Sequence, residues 1–207
     1  MEVIAHRGFL DGPAKPVDGQ LNSALSHGFG VEFDIRDSSE GIILAHDPWE
    51  HAPVPLCRFL STLHATGTLA INIKSCGLAS RVRQELDTYG VSPSRCFFFD
   101  MAVPDHLAYP GHGLPAYARL SEIEPLGDFA LQSDGIWLDA FSSTWWDDAL
   151  VARLLQRGLK VCVVSPELHR RERRPAWEAL RKAGLGGHAG LSLCTDYPHE
   201  ARTFFAI

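Results

Sequence analysis

At 207 residues, with 45% hydrophobic and 21% charged side chains, the chain is long enough for one substantial core and has the make-up of an ordinary globular domain. A formal charge of −6 argues against non-specific binding to nucleic acid or to an anionic membrane, so an anionic substrate has to meet a local basic pocket. An apolar strand follows Met1-Glu2 at once, with no basic segment leading a long apolar stretch and no membrane-spanning run, and a cytoplasmic location is expected.

In chain order, short β-rich runs fall at residues 3–6, 30–35, 42–45, 69–73, 96–99, 114–118, 135–138, 160–164 and 190–194. Helical patterns separate most of them. The clearest span 78–89, 146–157 and 175–183, each ending near a glycine (Gly90, Gly158, Gly184), and a shorter one covers 56–65. Repeated strand–helix units imply an α/β fold with a parallel sheet, and about eight of them imply a closed (β/α)8 arrangement, the TIM barrel, as a single domain over 1–207. The runs at 30–35 and 42–45 lack a helix between them; joined by residues 36–41, they read as a small hairpin at the barrel's mouth. Five widely spaced cysteines (Cys57, Cys76, Cys96, Cys162, Cys194) form no C-x-x-C pair and read as reduced, mostly buried small apolar residues. One charge run, His169 to Arg174, reads as a solvated loop, or alternatively as a basic wall for an anionic substrate.

The polar residues that close the first apolar runs carry the chemistry. Ile4-Ala5 leads to His6-Arg7-Gly8, Val31 to Glu32-Phe33-Asp34, and Leu44-Ala45 to His46-Asp47. Strands that end this way deliver acid–base and ligand groups to one end of a sheet. Glu32 and Asp34, two residues apart on a strand, share a face, because side-chain direction repeats every second residue. Two carboxylates suit a hard divalent cation, a guanidinium suits a phosphate, and imidazoles move protons near neutrality. The set fits metal-assisted cleavage of a phosphate ester.

The run IAHRG, Leu21-Asn22-Ser23 before a helix, VEFDIRDS, a glycine with an apolar run ending in HD, INIKS, and late in the chain CTDYP resembles, in order and spacing, the glycerophosphodiester phosphodiesterase family. The resemblance implies a TIM barrel with its site at the C-terminal face. It implies His6 and His46 as the acid–base pair, Arg7 and Lys74 as phosphate-binding residues, and Glu32 and Asp34 as ligands of one divalent cation, Mg²⁺ or Ca²⁺. Where the family commonly has a third acidic ligand in Glu-x-Lys, this chain has Asn72 in Ile71-Asn72-Ile73-Lys74, an amide that can coordinate but brings no charge. Only residues 48–71 separate the HD motif from the third strand, where the family has a sizeable insertion, so a more open site is expected. The Trp-Thr-x-Asn pattern frequent in the family is replaced by Val163-Val164-Ser165-Pro166-Glu167.

The expected partner is a small-molecule or polymer phosphodiester (a glycerophosphodiester, a sugar phosphate or a lipid head group), with neither nucleic acid nor a membrane span. Alternatives within the same residues are a lyase that forms a cyclic phosphate and a binding protein that has lost catalysis. Asn22 is expected mainly as a cap or turn residue, Asp196 as the anchor of a turn before Pro198, and Trp137, Trp145 and Trp146 as packing.

Overall fold

The computed structural model describes residues 1–14, 19–49 and 53–207. Among the described residues ten strands run in chain order: β1 (Glu2–His6), β2 (Gly30–Ser38), β3 (Gly41–Leu44), β4 (Val54–Pro55), β5 (Leu69–Ile73), β6 (Cys96–Phe99), β7 (Tyr117–Leu120), β8 (Gly135–Leu138), β9 (Lys160–Val164) and β10 (Leu191–Thr195). Eight of them form a parallel ring in the order β1-β2-β5-β6-β7-β8-β9-β10, and β10 pairs back onto β1. The junction between β6 and β7 is the narrowest. It consists of one parallel bridge, Phe98 to Ala116, with the Phe98 N–H donating to Pro115 O at 2.9 Å.

The remaining two strands, β3 and β4, lie outside the ring, and β3 forms the hairpin with the end of β2. It is longer than the expected one, because Arg36, Asp37 and Ser38 continue β2 past the rim of the barrel and pair antiparallel with β3. The turn between them is thereby reduced to Ser39-Glu40. β4 in turn pairs with β3 and leads into the helix Leu56–Ser61, which stops four residues short of the expected end, where Thr62 and Leu63 turn back onto Phe59 and Leu60.

β7 also departs from expectation, beginning at Tyr117 rather than 114. Leu114 is apolar because it closes the preceding helical turn: its N–H returns to Tyr109 O at 3.0 Å, around Gly113 with φ 68°. That geometry ends a helix and needs a residue tolerant of the left-handed region. The same device ends the helices Ala79–Thr88 and Asp148–Gln156, where Val91 and Leu159 bond back to Leu86 and Leu154. The latter helix starts two residues later than its apolar pattern, because Asp147 is extended and its carboxylate caps the Leu150 N–H at 2.7 Å.

Alternation along the strands sorts the core into two layers. Outward residues such as Ala5, Val31, Ile71, Phe98 and Leu138 pack beneath the helices. Inward ones, Ile4, Ala70, Phe97, Phe99, Tyr117, Trp137, Cys162, Val164 and Cys194, fill the barrel. The aromatics come from β6, β7 and β8 and stack in pairs, Phe97 on Tyr117 at 4.1 Å and Phe99 on Trp137 at 3.8 Å between ring centroids. The flanking strands β5 and β9, and β10 beyond β9, contribute the smaller inward residues Ala70, Cys162, Val164 and Cys194, so total volume is kept. All five cysteines are unpaired, and Cys96, Cys162 and Cys194 are buried. Among the described residues no helix is long and apolar enough to cross a membrane.

Gly135 faces this interior, two residues before Trp137. A Cβ there would lie 2.6 Å from Tyr117 Cζ and 2.7 Å from Lys160 O. Gly135→Ala is expected to push Tyr117 off Phe97 and lower stability by about 1–3 kcal/mol, as overpacking does; a urea melt at the wild-type midpoint measures it, and an unchanged midpoint would mean that the interior can shift freely.

Candidate active site

Continuing each inward row past the aromatic layer brings polar residues to the C-terminal mouth. His6 follows Ile4, Asn72 and Lys74 follow Ala70, Arg119 follows Tyr117, Asp139 follows Trp137, and Asp196 follows Cys194. On β2, Glu32 and Asp34 point the same way, between the outward Val31, Phe33 and Ile35, and both are buried. Strand pairing sets Glu32 beside His6 and Asp34 beside Asn72.

The His6 imidazole is fixed from both sides. Its Nδ1 is 2.7 Å from Asp196 Oδ1, and its Nε2 is 3.8 Å from Glu32 Oε2. A carboxylate beside Nδ1 takes the proton of that nitrogen in the hydrogen bond and turns Nε2 toward the mouth. Asp196 is therefore more than the turn anchor expected. It is braced from below by Glu167, which accepts from the Asp196 N–H at 3.2 Å and from the hydroxyls of Ser165 and Thr195. Burial works to lower the His6 pKa, but the hydrogen bond to Asp196 and the charge of Glu32 outweigh it, and the net shift is upward.

Arg7 occupies the left-handed region at φ 51°, followed by Gly8 at φ 74°. A non-glycine residue there costs about 1–3 kcal/mol and is held only where neighbours over-determine it. Here the Gln20 amide donates to the Arg7 carbonyl, and the Arg7 N–H donates to Glu32 Oε2 at 3.3 Å. The guanidinium reaches Asp34 Oδ2 at 3.5 Å, while Lys74 Nζ approaches Asp34 Oδ1 at 3.4 Å. From Lys74 the ion chain continues to Asp100 at 3.8 Å, and from Asp100 to Arg119 at 3.1 Å and Glu124 at 2.7 Å beyond it.

Six of the seven expected residues thus meet at the mouth: His6, Arg7, Glu32, Asp34, Asn72 and Lys74. The seventh, His46, stands just past the end of β3. The hairpin is tied to the site at the preceding residue, where the Ala45 N–H donates to Asp34 O at 3.2 Å. Its ring is 48% exposed and pairs with Asp47 at 3.0 Å. Asn22, expected as a cap or turn residue, lies inside the helix Gln20–Ser26 and donates to Thr62 Oγ1 at 2.9 Å. The charge run at 169–174 is neither a free loop nor a basic wall: Arg171 binds Ala140 O at 2.7 Å, and Arg173 and Arg174 both pair with Glu200. Asp100, Arg119 and the Asp139–His169 pair are further mouth residues. Asp100 and Asp139 close the apolar runs CFFF and GIWL as His6 closes its own, which is the signal that points to them.

Two features bear on a metal. Among the described residues no group of three His, Cys, Asp or Glu side chains stands in ready position around an ion. Yet Asn72 Oδ1 is buried without a hydrogen-bond partner, between strands that carry the two carboxylates, while its amide is held by Asp100. A bare amide oxygen beside Glu32 and Asp34 is a donor set that fits a hard cation.

No protein-family model and no curated protein matches the chain. Solved structures do. A protein of Galdieria sulphuraria, provisionally described as a glycerophosphodiester phosphodiesterase, superimposes with a TM-score of 0.71 at 13% identity, covering 100% of this chain and 98% of its own. A glycerophosphodiester phosphodiesterase from Agrobacterium tumefaciens gives 0.63 at 14% identity with full coverage of both chains. The phosphoribosyl anthranilate isomerase of Thermus thermophilus gives 0.52 at 13% identity, covering 100% of this chain and 97% of that one. The shared property is the TIM-barrel fold, and the isomerase shows that the fold alone does not fix the chemistry.

Burial, and next the charge of Asp34, push the Glu32 carboxyl from 4.5 up to about 7. A folded pKa above the unfolded one means that the native state holds the extra proton. Stability of the cation-free protein therefore falls as pH rises from about 4.5 to about 7, and His6, also shifted upward, adds to the fall at the upper end. Urea midpoints in EDTA between about pH 5 and about pH 7.5 are expected to decline in the parent and to stay flatter in Glu32→Gln; parallel declines would remove Glu32 as the cause.

Proposed function

We propose that the chain is a phosphodiesterase of the glycerophosphodiester phosphodiesterase type, hydrolysing a small phosphodiester with the help of one divalent cation. The observation that carries this reading is the joining, at the mouth of a fold shared with such enzymes, of a carboxylate-oriented imidazole, two cationic side chains and two buried carboxylates.

Arg7 and Lys74 both lean on Asp34, and they are the groups that would take up the charge of a bound phosphate. Glu32, Asp34 and Asn72 would hold the cation, Mg²⁺ or Ca²⁺ by the oxygen character of the set, which when bound neutralises charge that builds on the phosphoryl oxygens. His6, with its Nδ1 proton committed to Asp196, offers Nε2 as the acceptor for the proton of the attacking water. His46 supplies the second imidazole, which protonates the departing alkoxide. Its position on a hairpin outside the ring leaves room for substrates of different length.

His6→Ala and His46→Ala are each expected to lower kcat by roughly two to four orders of magnitude on a phosphodiester that the parent cleaves, with melting temperatures within a few degrees of the parent. Near-parental turnover in either variant would strike that residue from the mechanism.

Calorimetric titration tests the cation. Asn72→Glu adds an anionic oxygen and should bind Mg²⁺ or Ca²⁺ more tightly, with turnover unchanged or reduced because the same charge repels the substrate. Glu32→Gln/Asp34→Asn should lose the binding heat, and retention of it would put the cation elsewhere.

A further inference from the structure

A cleft in the side wall of the barrel lies outside the reaction described above. At other ring junctions the residue that follows a strand adds a last rung to the ladder: the Lys74 N–H donates to Ile35 O at 2.9 Å, the Asp139 N–H to Leu120 O at 2.8 Å, and the Ser165 N–H to Cys194 O at 2.9 Å. Asp100 stands in that place after β6. Its backbone is in the left-handed region at φ 68° and, among the described residues, forms no backbone hydrogen bond with β7. The two strands splay above their single bridge, Phe98 to Ala116, and a cleft of about 240 Å³ opens there, bordered by the helices Val103–His106 and Asp128–Leu131.

The lining is apolar at Met101, Val103, Phe129 and Ala130, and it includes the imidazole of His106, a residue only 4% exposed. The Ser133 hydroxyl donates its proton to Phe129 O at 3.0 Å, so at 3.2 Å it accepts from His106 Nε2, and that nitrogen holds the proton of the ring. Burial lowers the His106 pKa and keeps the imidazole neutral. Nδ1 is thereby left with a lone pair, and it makes no hydrogen bond among the described residues. On the mouth side the cleft meets Arg119, whose guanidinium donates to Glu124 at 2.7 and 3.1 Å and to Asp100 at 3.1 Å. These charges satisfy one another, and a charged ligand would have to separate them.

We propose that this cleft is a second ligand site, which binds a small neutral aromatic molecule through one hydrogen-bond donor accepted by His106 Nδ1. An apolar cavity of about 150 Å³ already takes a benzene ring, and Met101 and Phe129 supply thioether and ring contacts of the kind that aromatic ligands favour. A buried acceptor without a partner selects the ligand that brings a donor and rejects the hydrocarbon of the same shape. Gly127 lines the same cleft in extended backbone, at φ −142° and ψ −179°, and a Cβ there would meet nothing within 4 Å. A larger side chain at 127 therefore fills the cleft without straining the chain. The site goes beyond the phosphodiesterase reading and does not rest on it. It shares Asp100 and Arg119 with the ion chain that leads to Lys74, which sets its occupant against the wall of the mouth.

The test titrates p-cresol and p-xylene, which differ only by a hydroxyl in place of a methyl, into the full-length protein and follows binding by NMR. The wild-type protein is expected to bind p-cresol at least about tenfold more tightly. p-Xylene is the more apolar of the two and the better ligand for a cleft without a polar group, so in His106→Phe the order should reverse. Gly127→Phe, which leaves His106 in place, should abolish the binding of p-cresol, and with the wild-type ratio it keeps the test open where His106→Phe does not fold. No binding of p-cresol by the wild-type protein up to the solubility limit, a wild-type affinity for p-xylene equal to or above that for p-cresol, an unchanged order in folded His106→Phe, or undiminished p-cresol binding in Gly127→Phe overturns the site. Binding is the readout throughout, so the result stands apart from whether any phosphodiester is cleaved.

Discussion

Two buried carboxylates two residues apart on one strand set the terms for the rest of the mouth. Glu32 and Asp34 share a face of β2 and are both withdrawn from water. Buried charge is tolerated only where it is paired, hydrogen-bonded or neutralised. Asp34 takes the first route, between Arg7 and Lys74. Glu32 takes the others, through the Arg7 N–H and a raised proton affinity. The left-handed backbone at Arg7 follows from the same need, because it turns one residue's N–H and side chain toward two different carboxylates. Lys74, once turned toward Asp34, also meets Asp100, and Asp100 in turn meets Arg119. Alternating charge is thus passed around half of the ring.

The barrel below explains why this polar layer is rigid. Its aromatic filling comes from three adjacent strands and leans toward strands with small inward residues, so the interior is one interlocked stack rather than a set of equal spokes. Strand ends resting on such a stack have little freedom to tilt. The narrow junction between β6 and β7 lies within the aromatic sector, where stacking across the gap from Phe97 to Tyr117 compensates for a ladder of one bridge.

Much of this was legible in the chain itself, for reasons that differ from residue to residue. The eight ring strands are visible because a two-sided burial makes each an apolar run, and polar punctuation marks which end opens to the site. His6, Arg7, Glu32, Asp34 and Lys74 stand in local motifs whose periodicity fixes their facing. β7 is displaced because Leu114 is apolar for the sake of a helix ending, and composition does not tell that purpose from strand burial. Asp100 and Asp139 close apolar runs as single residues, with no neighbour of matching chemistry to mark them. The role of Asp196 is the least local: its partner is 190 positions away, and only ring closure brings β10 beside β1.

That last separation has a consequence for how the protein is made. A ribosome delivers β1 and β2 early, so Glu32 and Asp34 exist as a pair long before the strand that orients His6 has been synthesised. Until β10 docks, β1 has one open edge and the imidazole lacks its carboxylate, so a nascent chain carries the parts of the site without its alignment. Contacts of such span form late, since loop closure must be met before they return any stability. The imidazole of His6 therefore becomes oriented only after β10 has been made and has docked against β1.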